Sequence, residues 1–91
     1  MKDKIIDCIC EILQAYSLES EWSPELKAEI VNKAKSKSNE GLREIIYEYN
    51  PAGILTKLGL AYDDDEYYKK LRIRWTTNTS FRNNIIKKYK V

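Results

Sequence analysis

Two helix-start signals lie close together in the second half of this chain, and they constrain its fold more than any other feature. Asn50 can cap a helix with its side-chain carbonyl, and Pro51 suits the first helical position because its missing N–H would be unpaired there. Gly59 can adopt the left-handed conformation that ends a helix. These residues predict a short helix over residues 51–58.

The second signal is an acidic run that begins at Asp63. Glu66 follows three residues later, which is the capping-box spacing, and Asp64 and Asp65 lie where the helix dipole favours negative charge. The run therefore predicts a helix that starts at Asp63, with Ile73 on the face opposite its apolar residues. Those apolar residues share one stripe at about 3.6 residues per turn; they are Tyr67, Tyr68, Leu71 and Trp75.

The two signals together resemble the motif of a known protein family. The run NPAGIL at residues 50–55, a short glycine-containing spacer and the run DDDEYY at residues 63–68 are similar to the signature "Asp/Asn-Pro-x-Gly, then Asp-Glu-Tyr" of a family of small bacterial helical proteins. Some relatives of that family are immunity proteins of contact-dependent growth inhibition systems. The resemblance implies a small helical protein that acts by binding another protein.

Apolar residues recur at helical spacing in the rest of the chain as well. The pattern predicts helices over residues 3–17, 24–36 and 42–50, with a loop or cap region at residues 35–41. Residues that bind their own backbone then predict a break at residues 76–80. The break is followed by a last apolar stripe formed by Phe81, Ile85 and Tyr89.

The length of 91 residues and the lack of any convincing hairpin pattern predict the fold class. A chain of this size forms one domain around a single core. We therefore predict an all-α fold in which residues 1–91 form a single small domain of about five helices, one of them short. Residues 81–91 would pack back on the first helix. The predicted core consists of Ile9, Ile12, Leu13, Ile45, Ile46, Leu71 and Trp75.

The charges are distributed unevenly along the chain. Residues 1–66 contain all 14 acidic side chains but only 8 of the 16 basic ones, whereas residues 67–91 contain the other 8 basic side chains and no acidic one. The net charge of +2 thus hides an acidic part of charge −6 and a basic segment of charge +8. Such a segment can bind nucleic acid or an acidic partner, or it can be neutralised by the acidic helices of the same domain.

Several classes of function lack their usual residues. The sequence has no histidine, so His-based acid–base catalysis and metal binding are excluded, and it has no phosphate-binding loop. Cys8 and Cys10 would point away from each other on a helix, which favours buried thiols in a reducing cytosol over a disulfide or metal site. Asp7 and Glu11 interrupt the first apolar helix, unlike a signal peptide or membrane span. We predict a cytoplasmic non-enzyme without cofactor, metal or membrane attachment.

Acidic residues are the candidates for a protein-binding surface. Carboxylates four residues apart form two rows, which favour a solvated helix face over a cation site because no histidine or aspartate converges on them. The first row is Glu21, Glu25 and Glu29. Our main hypothesis is a non-catalytic immunity or inhibitor-type protein of a bacterium or mobile element, which offers acidic residues to a basic protein partner. The candidate residues are Asp64, Asp65, Glu66, Glu40, Glu44 and Glu48.

The basic segment supports a second hypothesis, a small nucleic-acid-binding or regulatory protein. Its cations interleave with aromatic residues, a mixture that can contact phosphates and stack bases, for example in a helix–turn–helix arrangement. A competing interpretation is that the aromatics belong to the core and lie beneath a solvated basic rim. The candidate nucleic-acid-binding residues are Arg72, Arg74, Arg82, Lys87, Lys88 and Lys90.

Overall fold

The structure, a computed structural model, describes residues 1–60, 66–77 and 80–91, and its regular elements are all α-helices. The all-α prediction is therefore confirmed. Within the described ranges there are six helices rather than about five, because the last apolar stripe forms a helix of its own. They are α1 (Lys2–Ala15), α2 (Pro24–Lys35), α3 (Asn39–Glu48), α4 (Pro51–Lys57), α5 (Glu66–Thr77) and α6 (Ser80–Tyr89).

Helix α1 is the central element of the packing. It contacts α2, α3 and α6, while α4 packs against both α3 and α5. The predicted contact between the tail and the first helix is thus confirmed. Six of the seven predicted core residues are buried, and the side chain of the seventh, Trp75, lies outside the described part of the structure. The buried six are Ile9, Ile12, Leu13, Ile45, Ile46 and Leu71.

Side-chain caps set the starts of three helices. The Ser23 hydroxyl accepts a hydrogen bond from the Leu26 N–H at 3.1 Å at the start of α2. The side-chain carbonyl oxygen of Asn50 accepts a hydrogen bond from the Gly53 N–H at 2.6 Å, which confirms the predicted start of α4. The predicted cap at Asp63 lies outside the described residues. The starts of α2 and α4 therefore follow from local chemistry that can be read in the sequence.

The end of α4 also has the predicted form. Gly59 has φ of +79°, in the left-handed region, and its N–H donates to the Thr56 carbonyl. The Leu60 N–H donates to the Leu55 carbonyl at 2.9 Å. This pair of bonds is the Schellman motif, which satisfies carbonyls that the end of a helix leaves without partners.

Two helix predictions need correction. Helix α3 begins at Asn39 rather than residue 42, because the Ser38 hydroxyl accepts a hydrogen bond from the Gly41 N–H and caps the helix earlier. Ile85 and Tyr89 of the last predicted stripe pack against the core, but Phe81 is 45% exposed and makes an edge-to-face contact with the Tyr16 ring, 5.6 Å between centroids. Ile86 is buried in its place, flanked by Ile85.

Candidate functional site

Helix α3 presents a polar face to solvent along its whole length. Its glutamates, spaced four residues apart, form one exposed row, and Tyr47 lies beside them with 54% of its surface exposed. The described residues provide no ion-pair partner for any of these carboxylates. The structure therefore brings together half of the predicted acidic site as one surface, which consists of Glu40, Glu44 and Glu48. We call these glutamates and Tyr47 the α3 face.

The other half of the predicted acidic site is only partly described. Glu66 is exposed and is the first residue of α5. Asp64 and Asp65 lie outside the described residues. Among the described residues, helix α5 packs mainly against α4 rather than against α3. The structure thus describes the α3 face as one surface, and the prediction that the acidic run adds to it remains a prediction.

The basic candidate Arg74 is used inside the domain. Its guanidinium forms a two-pronged ion pair with Glu21, with Nη1–Oε1 at 2.6 Å and Nη2–Oε2 at 2.8 Å. Nη1 also donates to the Tyr16 carbonyl at 2.8 Å, and Lys70 lies 3.9 Å from the same carboxylate. Hydrogen bonds from Arg74 lower the pKa of the Glu21 carboxyl below its ordinary value. Arg74 therefore ties the joint between α1 and α2 to α5.

Arg82 is also turned towards the domain. Its Nη2 donates to the Ile46 carbonyl in the last turn of α3, where the helix dipole favours a cation. The side chain is half-buried, and desolvation lowers the pKa of its guanidinium. Among the described residues no carboxylate pairs with Arg82, and its buried Nε has no hydrogen-bond partner. Arg82 is thus a half-buried cation whose charge is only partly compensated.

The remaining basic candidates differ in their surroundings. Lys88 forms an ion pair with Glu11 at 2.8 Å, and its pKa is raised by the hydrogen bond to that carboxylate. Arg72, Lys87 and Lys90 are exposed. Half of the six predicted nucleic-acid-binding residues therefore make contacts within the domain. The structure supports the interpretation that acidic residues of the same domain partly neutralise the basic segment.

A groove between α3 and α6 is lined by Tyr47, a member of the α3 face, and by three of the basic candidates. It has a volume of about 400 Å³, and the Tyr47 hydroxyl crosses one end to donate to the Val91 carbonyl. Sequence reasoning missed this site because it gave Tyr47 no role. The sequence did contain a signal for this site, because Tyr47 is an aromatic residue on the polar side of a predicted helix. The groove is lined by Tyr47, Arg82, Asn83, Ile86, Lys87 and Lys90.

The two thiols belong to the core of this fold. Cys8 and Cys10 are buried and free, as predicted. Burial raises the pKa of Cys8 to about 11 and also raises that of Cys10. In the described ranges, no three acidic or cysteine side chains gather in a way that could hold a metal ion. None of the helices found there has the length and apolar character that a bilayer span requires.

Comparisons with known proteins give no relative for this chain. No protein-family model matches it, and no curated protein or solved structure shows significant similarity. The resemblance of residues 50–68 to a family of small bacterial helical proteins, some relatives of which are immunity proteins, therefore remains a prediction. Any function has to be argued from the surfaces described above.

Proposed function

We propose that this protein is a non-catalytic protein-binding module of the immunity or inhibitor type, from a bacterium or mobile element, and that it acts in the cytoplasm. The observation that carries the proposal is the α3 face, on which three exposed carboxylates without an ion-pair partner among the described residues lie beside an exposed tyrosine. The partner would offer a basic patch. The proposal also rests on the resemblance of residues 50–68 to a family of small bacterial helical proteins, some relatives of which are immunity proteins.

The composition of the α3 face suits a protein interface. Tyrosine is among the residues that most often dominate binding energy, because its ring buries a large area at a small cost in conformational entropy. The flanking carboxylates would attract a basic partner and fix its orientation, which acts mainly on the association rate. A helix holds all of these groups in place before binding, so little ordering is needed. Tyr47 would be the anchor, and the glutamates its charged rim.

The test begins with capture of the partner from native cells on the tagged protein. Affinity is then measured for the double variant Glu40→Lys with Glu44→Lys, which we expect to bind about tenfold to a hundredfold more weakly. The matched control is Glu25→Lys with Glu29→Lys, an exposed pair at the same spacing and also in the first turns of a helix. Both variants should keep the melting temperature of the parent. Equal affinities for the two variants would contradict the proposal.

Two further variants test whether Tyr47 and the acidic run at residues 63–66 contribute to the same complex. Tyr47→Ala should weaken the same complex by about 2 kcal/mol or more if the ring is buried in the interface. Asp64→Lys with Asp65→Lys tests whether the acidic run contributes to binding, and it leaves the predicted cap residue Asp63 in place. If only the α3 variants lose affinity, the interface includes the α3 face but not Asp64 and Asp65.

Nucleic-acid binding is the alternative, favoured by three exposed candidates that form no ion pair among the described residues, namely Arg72, Lys87 and Lys90. Each phosphate contact releases counterions, so three contacts predict a slope of about −2.7 in the logarithm of the binding constant against that of the salt concentration. Changing Lys87 and Lys90 together to Gln should flatten this slope by about 1.8. The measurement is titration of a nonspecific duplex at several salt concentrations. Absence of binding at low salt would eliminate this alternative.

A further inference from the structure

The groove between α3 and α6 combines an apolar floor with a basic rim. Ile86 is buried beneath it, and the exposed ring of Tyr47 forms one wall. Lys87 and Lys90 are exposed on the rim, and the exposed residue Asn83 also lines the groove. A ligand that fits these surroundings has an apolar group for the floor and negative charge for the rim.

Arg82 adds a specific requirement for negative charge. Its guanidinium is half-buried against the end of α3, and within the described part of the chain it has a carbonyl partner but no carboxylate. Its buried Nε–H has no acceptor among the described residues. A buried donor without a partner, and a desolvated charge without a counter-ion, both cost free energy. An anion in the groove would compensate the guanidinium charge, since Arg82 lines the groove.

We infer that the α3–α6 groove binds an acidic peptide segment that inserts one apolar or aromatic side chain against Ile86 and Tyr47 and places carboxylates near Arg82, Lys87 and Lys90. The volume of about 400 Å³ is at the lower end of the range for a small-molecule pocket and accommodates one large side chain with its neighbours. This inference does not rest on the proposed function, because the α3 face would bind a basic surface and the groove an acidic one.

An acidic peptide fits the groove better than a nucleic acid does. A single-stranded nucleic acid needs a track of cations along its backbone and a series of stacking platforms. The groove offers one exposed ring, and two nearby basic candidates, Arg74 and Lys88, are already paired with Glu21 and Glu11. A peptide needs only one apolar contact and a few charge pairs.

The experiment uses the full chain labelled with ¹⁵N and a capped probe peptide, acetyl-Glu-Glu-Phe-Glu-Glu-amide. We expect amide shifts at Asn83, Ile86 and Lys87, with affinity that falls several-fold as salt is raised. Replacing the central Phe of the probe by Ala should abolish the shifts at Ile86. A peptide with Lys in place of Glu should instead shift the amides of Glu40 and Glu44. Binding to the groove and binding to the α3 face can therefore be distinguished by which amides shift.

The variant Lys87→Gln with Lys90→Gln should weaken the acidic peptide about tenfold. The matched control is Lys69→Gln with Arg72→Gln, which removes the same charge from exposed positions on α5. Arg82 is left unchanged because it contacts the end of α3. The inference is overturned if the groove amides do not shift at millimolar peptide, or if both double variants bind alike. It is also overturned if oligothymidylate shifts the same amides at lower concentration, since the groove would then be a nucleic-acid site.

Discussion

The ion pair between Glu21 and Arg74 allows a quantitative test of how the α1–α2 joint is held. The perturbation is Glu21→Gln, which is close to isosteric and removes the charge. Glutamine keeps a carbonyl oxygen that can still accept the Leu18 N–H, which bonds Glu21 Oε1 at 2.8 Å. The local turn can therefore survive, and the main loss is the charged contact to Arg74.

The expected cost follows from the geometry of the pair. The Glu21 side chain is 13% exposed and that of Arg74 is 26% exposed, so the pair lies between two limits. Fully exposed ion pairs contribute about 0–1 kcal/mol, and breaking a fully buried pair costs about 3–5 kcal/mol. We expect Glu21→Gln to reduce the free energy of unfolding by about 2 kcal/mol. For a domain of this size, that lowers the melting temperature by about 8–16 °C.

The assay is thermal unfolding followed by circular dichroism, at neutral and at acid pH. The pKa of Glu21 is lowered in the folded state. The carboxylate therefore stabilises the fold fully above its ordinary pKa of about 4.3 and loses this contribution as the pH falls through the lower folded-state value. The melting temperatures of parent and variant should thus differ at neutral pH and converge in acid. A double-mutant cycle with Arg74→Met should give a coupling of about 1–2 kcal/mol.

Two results would refute this reasoning. A loss below about 0.5 kcal/mol at neutral pH would place the pair with ordinary surface ion pairs. A difference between parent and variant that persists unchanged in acid would show that the loss comes from packing or from the Leu18 turn rather than from the charge.

The other predictions concern packing, backbone and thiols. Leu71→Ala should cost about 2–5 kcal/mol in urea unfolding, whereas Ile73→Ala, at a residue 65% exposed, should cost less than about 0.5 kcal/mol; similar values would contradict the packing of α5. Gly59→Ala should cost about 1–2 kcal/mol from its φ of +79° alone, since no described atom lies within 4 Å of the added Cβ. Cys8 and Cys10 should resist alkylation at pH 8 in the folded state and react in denaturant, as judged by mass spectrometry; rapid labelling without denaturant would show that they are accessible.

The parts of the fold that follow from local chemistry could be predicted from the sequence. The start of α4 depends on Asn50, and its end depends on Gly59, so neither needs tertiary information. The start of α3 was predicted too late because the apolar repeat begins at Leu42, whereas the cap is at Ser38. A polar first turn carries no periodic signal, and the capping serine lies in a run that is also typical of a loop.

The orientation of α6 could not be predicted in the same way. A stripe through Phe81 and a stripe through Ile86 both fit helical periodicity, and the choice depends on which residues α1 presents to it. The structure buries Ile86 and leaves Phe81 at the margin against Tyr16. Local helix propensity does not decide between these two orientations of α6, because they differ only in tertiary contacts.

In the candidate site, too, the features set by local spacing could be predicted, and those set by tertiary contacts could not. Spacing alone placed Glu40, Glu44 and Glu48 on one exposed face. Spacing could not reveal that Arg74 and Lys88 have carboxylate partners, since the pairs with Glu21 and Glu11 join residues 53 and 77 positions apart. The groove needs two helices that are distant in the chain, so it becomes visible only when α3 and α6 are placed side by side.

The pairing of α1 with α6 has a consequence for biosynthesis. During translation, α1 leaves the ribosome before α6, and the part of its apolar face that α6 covers stays uncovered until α6 has been made. Closing so long a loop adds little free-energy cost, because the cost grows only with the logarithm of loop length, but it delays completion of the core. The nascent chain therefore carries this part of the apolar face of α1 uncovered while residues 16–79 are made, and an exposed apolar surface of this kind favours chaperone binding and self-association.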